Sequence, residues 1–206
     1  MDCKILIAVV LIAELLVGSN LAAQVNALGG DESVAKRKGY IGLIIGFSTP
    51  QGDYLNHRRG NASVGSHLNL VRFGYVFTNR VGMAGHWYGG ANFYRGSNQL
   101  WSYGGMLVGP TLSSYSKERP NPKIEADISP MIGYAVANSP DFGSGAGQSI
   151  SAAFLFATTL RWNVGEKVVL LVTADWLYSK SYFENYGIYQ VIFTSTLGIG
   201  VAYRLR

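Results

Sequence analysis

The feature that most constrains this chain is a two-residue periodicity that persists to its end. Across residues 190–206, odd positions carry Val191, Phe193, Leu197, Ile199, Val201, Tyr203 and Leu205, while even positions carry Gln190, Thr194, Thr196, Gly198, Gly200 and Arg204. Strand side chains alternate between two faces, so this segment predicts a strand with one apolar face and one small or polar face. After the first two dozen residues, no stretch approaches eighteen consecutive apolar residues, which excludes a bundle of membrane-spanning helices. The fold then turns on whether the apolar face looks into a protein core or into lipid.

Seven earlier segments repeat the pattern: residues 40–48, 64–77, 81–93, 101–115, 123–135, 149–163 and 167–179. The second changes parity, with Leu68 and Leu70 on one face and then Phe73, Tyr75 and Phe77, which predicts a β-bulge. The fourth contains Gly109-Pro110. Proline cannot donate to a ladder, so a second bulge is expected there. Polar loops are read at 54–63, 94–100, 136–148 and 180–189, with shorter turns at 78–80, 116–122 and 164–166.

Composition settles the direction of the faces. Charged residues make up only 14% of the chain, against about 25% in typical domains. There are 26 Gly, 13 Tyr, 9 Phe and 4 Trp. The faces opposite the apolar ones carry Gly, Ala, Ser, Thr and Asn, whereas a water-exposed sheet carries Lys, Glu and Asp in quantity. Small residues suit the cramped interior of an eight-stranded barrel, where side chains fill the space. Tyr40, Phe77, Phe93, Trp101, Trp162, Trp176, Tyr178 and Tyr203 fall near strand ends, where aromatic girdles belong. An even strand count, spanning-length strands and alternating long and short connections predict an all-β, eight-stranded antiparallel up-and-down transmembrane β-barrel. Its N-terminus would be periplasmic and its four longer loops outside. A soluble lipocalin-like barrel, apolar inside, is the alternative.

The N-terminus has the layout of a secretory signal peptide: Lys4, an apolar run over residues 5–17, then Gly18, Ser19, Ala22 and Ala23. That run is shorter than the ~20 residues of a permanent anchor helix. The expected organisation is a signal peptide at 1–23, a periplasmic leader at 24–38 and the barrel at 39–206. Cys3, the single cysteine, lies in the discarded segment, so no disulfide, thiol chemistry or cysteine metal site is expected. The net charge of +5 includes Lys36, Arg37 and Lys38. On an exported chain these read as a solvated leader, with no nucleic-acid partner.

The runs YIGLIIGFSTPQGDY, LNLVRFGYVFTNRVGMAGHWYGG, YGGMLVGPTLS and LGIGVAYRLR resemble the small outer membrane protein beta-barrel family, similar in build to the transmembrane domain of OmpA-type proteins. The resemblance spans nearly the whole chain beyond the leader and consists of barrel patterning, with no active-site motif. It implies a bacterial outer-membrane location and insertion by the barrel-assembly machinery. The family's C-terminal insertion signal ends in an aromatic residue, whereas here Tyr203 is followed by Arg204, Leu205 and Arg206. The chain stops at the eighth strand, so no added peptidoglycan-gripping domain is expected.

Candidate site residues follow from parity. Arg72, His86, Glu125, Asp127, Arg161, Asp175 and Arg204 fall on inward faces, with His67 beside them. Buried charge is costly unless paired, so a lumen network of Arg72, Arg161 and Arg204 with Glu125, Asp127 and Asp175 is expected. Arg204 would lie beside Gly42 and Gly46. The network either plugs the barrel or opens transiently as a narrow path for small polar solutes or ions. Arg58, Arg59, Arg95, Tyr182, Phe183 and Tyr186 make the outer loops basic and aromatic, suited to a surface partner or to lipopolysaccharide and the headgroup layer. Catalysis is not expected. No G-x-S-x-G elbow is present, and the neighbours Ser66 and His67 point to opposite faces. An outer-leaflet lipid-modifying enzyme is the remote alternative. His57, His67 and His86 lack a metal-binding spacing, so neither metal nor cofactor is expected.

Overall fold

A computed structural model describes residues 39–51, 63–77, 80–93, 100–114, 122–139, 147–184 and 187–205. The chain separates into two units, Met1–Ala35 and Lys36–Arg206, and every described residue belongs to the second. The signal peptide and leader readings lie outside the described residues.

Eight strands close into an antiparallel barrel in simple sequence order. They are β1 (Gly39–Pro50), β2 (Gly65–Val76), β3 (Val81–Phe93), β4 (Leu100–Ser113), β5 (Ile124–Ser139), β6 (Gly147–Asn163), β7 (Val168–Phe183) and β8 (Ile188–Leu205). Pairing of β1 with β8 closes the wall, from Gly39↔Leu205 to Pro50↔Thr194. The lower end of the barrel is taken as the end where β1 begins and β8 finishes, and the other end as the upper rim.

Closure removes every free edge, and it also decides the meaning of parity. Ile41, Leu43, Ile45 and Phe47 of β1 and Leu197, Ile199, Val201 and Tyr203 of β8 all lie on the exposed outer wall. Their inward neighbours Ile44, Ser48, Thr194, Thr196, Ala202 and Arg204 are buried. The outer wall is therefore the apolar one. A soluble barrel would present the reverse.

The parity change in β2 is a bulge, seen as register shifts between Asn69 and Val71 against β3 and between Gly42 and Ile44 against β2. At Pro110 the expectation fails. Val108↔Ile132 and Leu112↔Ile128 keep one register on either side, and Pro110 simply faces outward at the height of Pro130. With an imino acid on both strands, the ladder lapses for a few residues without gaining one.

Two of the eight girdle aromatics point inward: Tyr40 is 2% exposed and Trp101 is 0%. Phe77, Phe93, Trp162, Tyr178 and Tyr203 are exposed and Trp176 is half-buried. Tyr40 shares its parity with Gly42 and Ile44, and its ring lies over Gly74, where a Cβ would come within 2.7 Å. Tyr103 covers Gly90 in the same way.

Two of the upper connections, β5–β6 and β7–β8, are shorter than the sequence suggests because strands run into them. Β-pairing of β5 with β6 reaches Ser139↔Gly147, and that of β7 with β8 reaches Phe183↔Ile188. Above the apolar band the outward face no longer needs greasy residues, so backbone pairing continues where the hydropathy signal stops.

Candidate functional site

The lumen is filled in two storeys, and the lower one is ionic. Arg161 on β6 pairs with two carboxylates of β5: Nη1 lies 2.6 Å from Glu125 Oε2, and Nε lies 2.7 Å from Asp127 Oδ2. Its Nη2 donates to Asp127 Oδ1 at 2.8 Å and to Ser113 Oγ at 2.9 Å. The guanidinium also lies over the Tyr40 ring, 5.2 Å from its centroid. Strand geometry explains the assembly, because the register sets Glu125 directly opposite Arg161 and Asp127 opposite Thr159. One arginine fork thus satisfies two acids that would otherwise repel each other.

A second pair spans the barrel above it. Arg72 on β2 reaches Asp175 on β7, with Nη1 to Oδ2 at 2.7 Å and Nη2 to Oδ1 at 3.1 Å, and donates to Thr159 Oγ1 at 2.5 Å. Arg72 and Asp175 are each no more than 2% exposed.

Arg204 takes a different place from the one expected. It stands opposite Tyr40, not beside Gly42 and Gly46, since those pair with Ala202 and Gly198. Its Nη1 donates to the carbonyls of Gly165 and Glu166 at 2.9 and 3.0 Å, and its Nη2 donates to Asn163 Oδ1. Arg204 therefore clasps the β6–β7 turn to the end of β8. Hydrogen bonds from a charged donor contribute about 1.5–3 kcal/mol, and Arg204→Ala should destabilise the folded barrel by about that much, seen as a lower urea midpoint read from its gel migration.

The upper storey divides by side. Towards β3–β8, Trp101, Tyr103, Leu107, Met131, Leu155, Leu177, Phe183 and Ile192 form a buried apolar cluster with small Ala partners. The Trp101 and Tyr103 rings meet at 4.9 Å. Towards β1, β2 and β8 the interior is polar. Ser48 Oγ and Tyr103 OH are 2.6 Å apart, and Asn92 Nδ2 donates to the Ser48 carbonyl at 3.2 Å. His67, Asn69 and Thr196 are buried, and among the described residues their side-chain polar atoms have no hydrogen-bond partner. His86 is buried one turn of the pattern away from Tyr88, whose ring faces His67 at 6.4 Å.

Of the residues expected in the outer loops, Arg58, Arg59, Arg95 and Tyr186 lie outside the described residues, as does His57. Tyr182 and Phe183 belong to β7 and not to a loop. Tyr182 is exposed and pairs with the Tyr189 ring at 4.7 Å, but Phe183 points inward and is 1% exposed. Parity carried on from Ser179 puts Phe183 inside, so the signal was present. Ser66 is exposed and His67 buried, on opposite faces of β2. Among the described residues, no group of three or more His, Cys, Asp or Glu could hold a metal ion.

No protein-family model matches the chain, and no curated protein does. Solved structures do. Neisserial surface protein A (NspA) aligns with a TM-score of 0.62 at 13% identity, over 81% of this chain and 97% of that one. Ail, the attachment invasion locus protein of Yersinia pestis, aligns at 0.46 and 19% identity, over 82% and 99%. The N-terminal β-barrel domain of Pseudomonas aeruginosa OprF aligns at 0.45 and 11%, over 83% and 100%. The fold is that of the small eight-stranded outer-membrane barrels.

Proposed function

We propose that this barrel resides in a bacterial outer membrane as a structural and surface-interacting protein, without catalysis of its own. Its lower end would face the periplasm, its upper rim the exterior, and the barrel-assembly machinery would insert it. The observation that carries this reading is the filled cross-section. Arg161, Glu125, Asp127 and Tyr40 occupy the lower lumen, and Trp101, Leu107, Leu155 and Phe183 the upper, each 6% exposed or less. A barrel so packed suits a scaffold better than an open channel. The sequence segments between β1 and β2, β3 and β4, and β7 and β8, which carry Arg58, Arg59, Arg95 and Tyr186, would supply the basic and aromatic chemistry that a surface ligand or lipopolysaccharide meets.

A second reading, a narrow gated path, is favoured by one observation: the polar side of the upper lumen, where His67, Asn69 and Thr196 have no hydrogen-bond partner among the described residues. Such groups are normally satisfied by water, and the Arg72–Asp175 pair would be the gate. Planar-bilayer recordings separate the two. The structural reading expects no discrete conductance from the wild type or from Asp175→Asn folded in bilayers. Stepwise currents from the wild type, enlarged in Asp175→Asn, would establish the path instead.

A further inference from the structure

Every charged residue within the described strands is buried in the lumen except one. Arg72, Glu125, Asp127, Arg161, Asp175 and Arg204 are all inside, while Lys180 on β7 is exposed on the outer wall. A lysine on the lipid face is most costly at the bilayer midplane and nearly neutral at the interface. Its height fits the second. Lys180 stands twelve residues up β7 from Val168, the partner of Tyr203 at the lower end. At about 3.3 Å per residue and a tilt of about 40°, that is roughly 30 Å, against an apolar band of about 25 Å.

Lys180 does not trail freely at that level. Its ammonium lies over the Tyr189 ring, 4.4 Å from the centroid, and Tyr182 packs on the same ring. A cation resting on a ring face keeps N–H donors for an anion. Beside it the wall is notched. Backbone pairing of β6 with β7 stops at Ala153↔Ser179, although β6 begins at Gly147 and β7 continues to Phe183. Side chains bridge the gap: Ser149 Oγ donates to the Tyr182 carbonyl at 2.7 Å, and Ser151 Oγ lies 2.6 Å from Ser179 Oγ and 3.0 Å from Ser181 Oγ. The notch opens into a cleft of about 310 Å³ lined by Gln148, Ser149, Ile150, Tyr182, Phe183 and Glu184.

We infer that this notch and Lys180 form a binding site for the headgroup of a phosphorylated glycolipid of the surrounding leaflet, an inference that rests on the outer-membrane reading above. Lys180, resting on the Tyr189 ring against which the cleft residue Tyr182 also packs, takes the phosphate. The amide of Gln148 and the Glu184 carboxylate, both exposed, offer the mixed donors and acceptors that sugar hydroxyls need. The Tyr182 ring offers a flat face for a sugar ring, and Ile150, 72% exposed, offers apolar surface for an acyl chain. Glu184 repels phosphate, so the phosphate belongs at the lysine and the sugar above it.

The test is native mass spectrometry of the folded barrel released from phosphatidylcholine nanodiscs doped with lipid A, dephosphorylated lipid A or phosphatidylglycerol. The wild type should carry lipid A in preference to both others. Lys180→Gln should lower its retention about tenfold, the loss of one charge-assisted contact, and Lys180→Arg should preserve it. Heat-modifiable gel migration shows that each variant is folded. Equal retention by Lys180→Gln, equal retention of phosphatidylglycerol by the wild type, or a lipid-free dimer at the notch would each overturn the site. A conducting wild type would instead overturn the structural reading and leave the lipid result standing.

Discussion

An Arg161→Ala barrel is expected to lose about 3–5 kcal/mol of stability, because removing one partner of a buried ion pair leaves the other charged and unpaired. The cost falls at the upper end here. Arg161 serves two acids at once, at 2.6 Å from Glu125 and 2.7 Å from Asp127, and without it they face each other uncompensated. Arg161→Lys should recover only part of the loss, since a single ammonium cannot replace a planar fork that reaches Glu125 and Asp127 at once. Adding Glu125→Gln and Asp127→Asn to Arg161→Ala should recover more. Urea titration of the bilayer-folded protein, followed by tryptophan fluorescence, reads all of these. A midpoint for Arg161→Ala equal to that of the wild type would mean that the triad is solvated and that the lower lumen is not closed.

Placing a cation on the lipid face should be nearly as damaging and should depend on depth. Ile199, 64% exposed, lies near mid-height on β8 between Tyr203 and Phe193. Ile199→Arg is expected to cost about 2–4 kcal/mol, and Tyr203→Arg at the lower girdle about 0–1 kcal/mol. The same titration measures both. If the two substitutions cost the same, the outer wall is not in hydrocarbon, and the membrane orientation of the fold falls with it.

Much of this barrel was legible in the chain because parity is local. The eight strands, the bulge in β2 and the outward set of Val201, Ile199 and Leu197 all follow from which neighbours alternate. Where the reading missed, the local signal had ended or misled. Strands β7 and β8 outlast their hydropathy pattern, so Phe183 read as a loop residue although it is buried against the apolar cluster. Tyr40 and Trp101 read as girdle residues because they sit at strand ends. Their parity places them inside, where Tyr40 lies over Gly74. Pro110 read as a bulge because a ladder cannot use it, yet Pro130 at the same height made the lapse mutual. Lys180 falls in the stretch 180–189, where the alternating hydropathy pattern has ended. What sets it apart is tertiary: every other charge within the described strands lies in the lumen.

The sequence by itself determined which residues face inward, and with that the predominance of apolar side chains on the wall and of charge in the lumen. The tertiary structure decided which charges meet. Arg72 and Asp175 lie 103 residues apart in the chain, and nothing in their neighbourhoods marks them as partners. Arg161 takes both Glu125 and Asp127, while Arg204 is drawn to the Gly165 and Glu166 carbonyls. The reason is geometric: parity fixes the face of a residue, but only the closed register of eight tilted strands sets its height and what stands across the lumen from it.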